Sequence, residues 1–154
     1  MTDTPLQLDS FIPYRLSYTA GLVSEYVAGA YQAWFRIGIP EWRVLSWVAQ
    51  SGEITQQDIC ARTRMDKVTV SRAAIALTAR GLIGKRRNPG DKRSHLLALT
   101  ADGKDLHARI APRALELESR ILARFDRAQL DGLVAMLREI DAAVLSLEET
   151  GTAD

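Results

Sequence analysis

The sequence predicts a mainly α chain of the α+β class, built from six helices and one short β-hairpin. Three observations carry this. Apolar residues recur at helical spacing over long stretches, as in Leu16, Leu22, Val23, Tyr26, Val27, Ala30, Tyr31, Trp34 and Phe35. Residues suited to helix N-caps, namely Thr55, Asp66, Thr100 and Asp126, stand ahead of further such stretches. Asn88-Pro89-Gly90-Asp91 is a strong turn signal, and the runs that flank it are β-prone.

Taken in order, residues 1–8 are expected to fray. Asp9 and Ser10 can cap the first helix, and Pro13 falls in its first turn, where a missing N–H does little harm. This helix ends before Gly38. It is apolar over a wide arc and carries Tyr18, Tyr26 and Tyr31, so it needs cover from other elements. Pro40 and Glu41 open the second helix, which closes at Ser51-Gly52. Glu53-Ile54 can add a short strand. Thr55 caps the third helix, with Ile59 and Ala61 turned inward. Asp66 caps the fourth, which stops at Gly81 and points Val70, Ala74 and Leu77 at the core.

Leu82–Arg87 and Ser94–Leu99 form the hairpin strands, with residues 88–93 as the loop between them. Thr100 caps the fifth helix, which Pro112 should kink. Asp126 with Gln129 resembles a capping box for the sixth, bearing Leu130, Leu133, Leu137, Ile140, Val144 and Leu147. The final EETGTAD reads as a tail.

Composition narrows the class. The hydrophobic fraction of 47% is ordinary for a globular chain. No apolar run approaches the ~20 residues that span a bilayer. The opening MTDTPLQLDS has neither a basic nor an apolar leader segment, which points away from secretion and membranes. The single Cys60 excludes an internal disulfide and fits a reducing cytoplasm. The two histidines, His95 and His107, belong to no ligand-spacing pattern, so neither a metal nor another cofactor is expected. There is no GxSxG, HExxH, P-loop or dinucleotide fingerprint, so the chain is not expected to be an enzyme.

Charge is where the chain is distinctive. Between Glu53 and Leu99 stand ten Lys/Arg against four acidic residues, a net +6, whereas the remainder has ten basic and fifteen acidic residues, a net −5. A near-neutral whole thus contains a strongly basic module, as a phosphate-binding surface requires. Helix, turn, helix and basic hairpin in this order make a winged helix-turn-helix. An α-helix fills the major groove of DNA and reads it from its N-terminal end, where Lys67, Thr69, Ser71 and Arg72 lie. Arg86, Arg87, Lys92 and Arg93 make the hairpin tip basic, which suits a narrow minor groove. A solvated basic surface, or a winged helix that binds another protein, are the competing readings.

The sequence resembles the MarR (multiple antibiotic resistance regulator) family of dimeric bacterial transcription factors. The matching residues are Met65-Asp-Lys-Val-Thr-Val-Ser-Arg72, Leu77-Thr-Ala-Arg-Gly-Leu-Ile83, and Asp91-Lys-Arg93 followed by Leu99-Thr100. The resemblance implies that Asp66–Arg80 is the recognition helix, that Arg93 enters the minor groove, and that Asp91 helps to hold the wing. It implies a homodimer on a pseudopalindromic operator, with residues 1–38 and 100–154 forming the dimerisation region and 39–99 the winged helix. Repression is the family's commoner role. Phe11-Ile-Pro-Tyr-Arg-Leu-Ser17 and Pro40-Glu-Trp-Arg-Val-Leu45 look like a proteobacterial branch with members that sense aromatic acids or their CoA thioesters.

For such an effector, Arg43, Arg15, Trp34, Trp42 and Trp47 are the candidates: arginine neutralises a carboxylate and indole stacks on a ring. Arg43 leads, because its helix is apolar and a buried arginine needs an anion. Core packing for the tryptophans and structural ion pairs for the arginines are the plainer alternatives. An oxidant-responsive role for Cys60 competes with a small buried side chain.

Overall fold

The computed structural model describes residues 5–151. They form six α-helices and a three-stranded antiparallel sheet. Of the fraying expected over residues 1–8, positions 1–4 lie outside the described residues, as do positions 152–154 of the tail, whereas Leu8 already belongs to a 3-10 turn. The chain divides into two compact units, one through Leu117 and the other from Glu118.

In the first unit, a 3-10 turn at Leu8–Ser10 precedes α1, Ile12–Phe35. Asp9 and Ser10 do not cap it. The N-cap is Phe11, without a side-chain cap bond, because Ser10 Oγ donates to the Gln7 carbonyl and Asp9 pairs with Arg15 at 3.5 Å. Pro13 sits in the first turn, as its fixed φ allows. Helix α1 ends at Arg36, which takes the left-handed conformation at φ 51°. Gly38 then leads into α2, Ile39–Ser51, whose Val44, Leu45 and Val48 are fully buried.

Strand β1, Glu53–Thr55, runs into α3, Gln56–Thr63. Thr55 Oγ1 accepts from the Asp58 N–H at 3.1 Å and caps α3. Helix α4, Lys67–Ala79, begins at Asp66, which accepts from the Thr69 N–H at 2.7 Å. Its buried residues are Val70, Ala73, Ala74 and Leu77. The helix closes on Gly81 at φ 69°, a backbone setting that glycine adopts without strain. The Leu82 N–H returns to the Leu77 carbonyl at 3.0 Å and the Gly81 N–H to Thr78 at 2.9 Å, a Schellman closure.

Strands β2 (Ile83–Asn88) and β3 (Asp91–Leu99) form the hairpin, and β3 lies between β1 and β2. The connection is shorter than its polar residues suggest. Asp91, Lys92 and Arg93 belong to β3, leaving Pro89-Gly90 as the turn. Helix α5, Ala101–Ile121, follows Thr100, whose Oγ1 accepts from the Gly103 N–H at 3.1 Å. It is one element with Pro112 inside it. Leu106, Ile110 and Leu117 join the core formed by α2, α4 and the sheet.

In the second unit, α6 spans Arg127–Gly151, so Glu148–Gly151 are helical rather than tail. Its start is the expected capping box: the Gln129 N–H donates to Asp126 Oδ1 at 2.8 Å and the Asp126 N–H to Gln129 Oε1 at 2.9 Å. Both α1 and α6 leave apolar faces open. Leu22, Val23 and Tyr26 on α1 are exposed, as are Leu137, Ile140 and Val144 on α6. No described helix is long and apolar enough to cross a membrane.

Candidate nucleic-acid interface

Lys67 opens α4, and Arg72 is exposed one turn further on. Thr69, by contrast, is engaged: its Oγ1 donates to Asp66 Oδ2 at 2.9 Å. These bonds to Thr69 hold the Asp66 carboxyl below its ordinary pKa. Ser71 is half-buried.

The wing is held by its own polar residues. Asp91 Oδ1 accepts from the Arg93 N–H at 2.9 Å, and Asn88 Oδ1 accepts from the Gly90 N–H at 3.0 Å. Asn88 Nδ2 also donates to Ser94 Oγ at 3.0 Å across the hairpin. Asp91 thus stiffens the backbone that presents Arg93, and leaves Arg87, Lys92 and Arg93 exposed.

Lys67 and Arg93 border the same groove, of about 560 Å³, together with Lys85, His95, Gln56 and Gln57. Lys85, His95 and the two glutamines escape a reading of the sequence because five separate elements supply the groove. The half-buried Cys60 also borders it while packing against the core. Arg86 is placed differently from its neighbours. It spans β3 to reach Glu53 on β1, through Nε and Nη2 at 2.6 Å each. Its charge is matched in the free protein, and the bond with Arg86 lowers the Glu53 pKa.

The expected effector residues do not converge. Arg43 is exposed, because Val44, Leu45 and Val48 set the buried side of α2 and Arg43 falls off it. The burial that singles it out in the sequence is absent. Arg15 pairs with Asp9 and lies 5.3 Å from the Tyr18 ring. Trp34 is exposed beneath the Arg113 guanidinium at 5.1 Å. Trp47 packs partly against the core with Arg62 over its ring at 4.9 Å.

A pocket of about 720 Å³ opens instead between α2, β3 and α5, with Trp42, Ser46, Gln50, Lys104 and His107 on its walls. Trp42 meets Tyr31 edge-on at 5.4 Å and stacks on His107 at 5.5 Å. Burial lowers the His107 pKa, which favours a neutral imidazole. Among the described residues, Ser46 Oγ is buried without a hydrogen-bond partner. A buried unpaired hydroxyl is costly and suited to a polar guest. Sequence reasoning includes Trp42 and misses Ser46, Lys104 and His107. No group of His, Cys, Asp and Glu among the described residues could hold a metal ion.

A capped helix, a short turn, a second capped helix and a basic hairpin define a winged helix-turn-helix protein. Residues 37–94 match the model of the MarR family. Among curated relatives, the uncharacterized HTH-type transcriptional regulator YwoH of Bacillus subtilis is 31% identical over 85 residues, 55% of this chain and 61% of YwoH. The chain thus matches about three fifths of that relative's length.

A MarR/EmrR family transcriptional regulator from Acinetobacter sp. ADP1 superposes with a TM-score of 0.84 and 26% identity, covering 92% of this chain and 99% of its own. A cysteine-to-serine mutant of MarR from E. coli, solved with operator DNA, gives 0.76 at 18% identity over 89% and 99%. CouR of Rhodococcus jostii RHA1, solved with p-coumaroyl-CoA, gives 0.79 at 20% over 88% and 95%. The latter two likenesses speak to the fold. Family model and structures together show that the winged helix-turn-helix segment is similar to transcriptional regulators of the MarR family.

Proposed function

We propose that the protein is a homodimeric MarR family repressor that binds a pseudopalindromic operator and is released by a small aromatic effector. The observation that carries the DNA reading is the shared groove lined both by Lys67, at the head of α4, and by Arg93, on the wing. A helix N-terminus and a guanidinium on one face suit adjacent grooves of a duplex. Lys67 and Arg72 act in the major groove, Arg93 in the minor groove, and Arg87 and Lys92 on phosphates. Asp91 supports the wing. Two copies meet major grooves about 34 Å apart.

The open apolar faces of α1 and α6 support dimerisation through residues 1–38 and 100–154, with 39–99 as the DNA-binding part. The α2–α5 pocket supports an aromatic carboxylic acid or its CoA thioester as effector. Trp42 and His107 offer ring faces, while Ser46 and Lys104 offer a hydroxyl and a cation to its acyl oxygens. A ligand that binds one dimer geometry better than the other shifts the population away from DNA. Such a regulator acts in the cytoplasm.

The test is selection of duplexes from a random pool with the full-length protein, then anisotropy titration and light scattering. Enrichment of a pseudopalindrome bound by two chains is expected. Failure to enrich any duplex overturns the reading. A thermal-shift screen of aromatic acids and CoA thioesters tests the pocket, because a ligand of the folded state raises the melting point. The expected rise is lost in a Trp42→Ala variant.

A further inference from the structure

The solvent side of α4 carries an apolar stripe that folding does not need. Val70, Ala73, Ala74 and Leu77 make the core side. Away from the core, Val68 is 57% exposed and Ile75 65% exposed, with the exposed Arg72 between them. Positions 68, 72 and 75 are four and three residues apart and so share one face. Val and Ile are poorer helix formers than Lys, Glu or Ala, and no burial offsets that at an exposed site.

The surroundings tell what this stripe meets. Lys67 precedes it, Arg72 interrupts it, and the 53–99 segment carries a net +6. An apolar protein partner does not call for that charge, whereas a phosphate-flanked groove does. Thr69, the nearest hydroxyl, is taken by Asp66. Val68 and Arg72 are therefore the groups best placed to meet base edges at the head of the helix. The apolar feature of the major groove is the C5-methyl of thymine.

We propose that Val68 and Ile75 are thymine-methyl contacts on either side of Arg72. The operator half-site then requires a thymine on each flank of the base pair that Arg72 reads. This rests on the reading of α4 as the helix that enters the major groove.

The experiment uses the full-length protein and its selected duplex. Each thymine is replaced in turn by deoxyuridine, which removes one methyl group and nothing else. Wild type should lose about fourfold in affinity at two positions in each half-site, the worth of one buried methyl. Val68→Ala should become insensitive to the replacement at one of them, and Ile75→Ala at the other. Alanine at exposed helical positions preserves the fold, which circular dichroism checks. If wild type binds the duplex and no replacement matters, or both variants remain as sensitive as wild type, the assignment is overturned and the duplex reading stands. If wild type enriches no duplex, both fall together.

Discussion

Arg86 on β2 grips Glu53 on β1 across the intervening strand β3, with two nitrogen–oxygen contacts of 2.6 Å. The pair is 33 residues apart in sequence and ties the root of the wing to the strand that leads into α3. Planar bidentate pairing fixes orientation as well as distance. Arg86 is therefore a support for the wing in the free protein.

The consequence is testable by Glu53→Gln. The pair is solvent-exposed, so the melting temperature should fall only slightly. Duplex affinity should fall severalfold, because the wing loses one of its anchors. Since Arg86 lowers the Glu53 pKa, the tie is present above the ordinary glutamate pKa of 4.5 and is lost as pH drops through the lowered value. An unchanged affinity for Glu53→Gln at pH 7 would count against the supporting role.

Arg93 stands at the other extreme. Its side chain is exposed while its backbone is fixed by Asp91 at 2.9 Å. Arg93→Ala should weaken duplex binding at least tenfold with helicity and oligomeric state unchanged. Asp91→Ala should give a smaller loss, because the guanidinium remains but its mount loosens. A larger loss in Asp91→Ala than in Arg93→Ala would reverse the two roles.

Salt separates phosphate contacts from base contacts. If two copies bind as proposed, with Lys67, Arg87, Lys92 and Arg93 of each on phosphates or in the groove, about eight counterions are displaced, and a plot of log affinity against log salt should have a slope of about −7. Lys67→Ala should flatten it by about two, one contact for each copy. A slope near zero would remove the electrostatic footprint altogether.

Most features set by neighbouring residues are readable from the sequence, the missing Asp9 or Ser10 cap of α1 being an exception; features set across the fold are not. The caps at Thr55, Asp66, Thr100 and Asp126 stand within three residues of their partners, and the structure shows each of them. The Val70, Ala74 and Leu77 stripe follows from helical period alone. Arg43 shows the limit. An apolar helix suggests its burial, yet Val44, Leu45 and Val48 decide which side of α2 is inward. The pocket is less legible still. Ser46 on α2 and His107 on α5 meet only after the intervening winged helix has folded, and neither carries a motif. Charge counts group Arg86 with the tip arginines because they ignore register, which places it opposite Leu96 and within reach of Glu53.

Gly103 offers a test of packing that involves no binding. It is buried in the first turn of α5, and a methyl group on it would overlap the Leu82 carbonyl oxygen. That carbonyl already accepts from the Thr100 N–H at 3.1 Å, so the junction of α4, β2 and α5 has no room to retreat. Gly103→Ala improves helix propensity and yet should destabilise by about 3 kcal/mol, the upper part of the overpacking range. Chemical denaturation measures it. A stabilised variant would mean that the α5 start is looser than its contacts imply.

His107 gives the pocket a pH signature. Burial lowers its pKa below the ordinary 6.5, so the unfolded chain binds its proton more readily than the folded one. Stability is therefore unaffected by this group above pH 7. It declines as pH falls below 6.5 and levels off once the lowered folded value has been passed. His107→Phe keeps a ring against Trp42 and removes the proton. Its melting temperature should change less than that of wild type between pH 7 and pH 5. If the two proteins lose the same amount over that interval, His107 is not the group that senses acid, and the stacking on Trp42 is insensitive to charge.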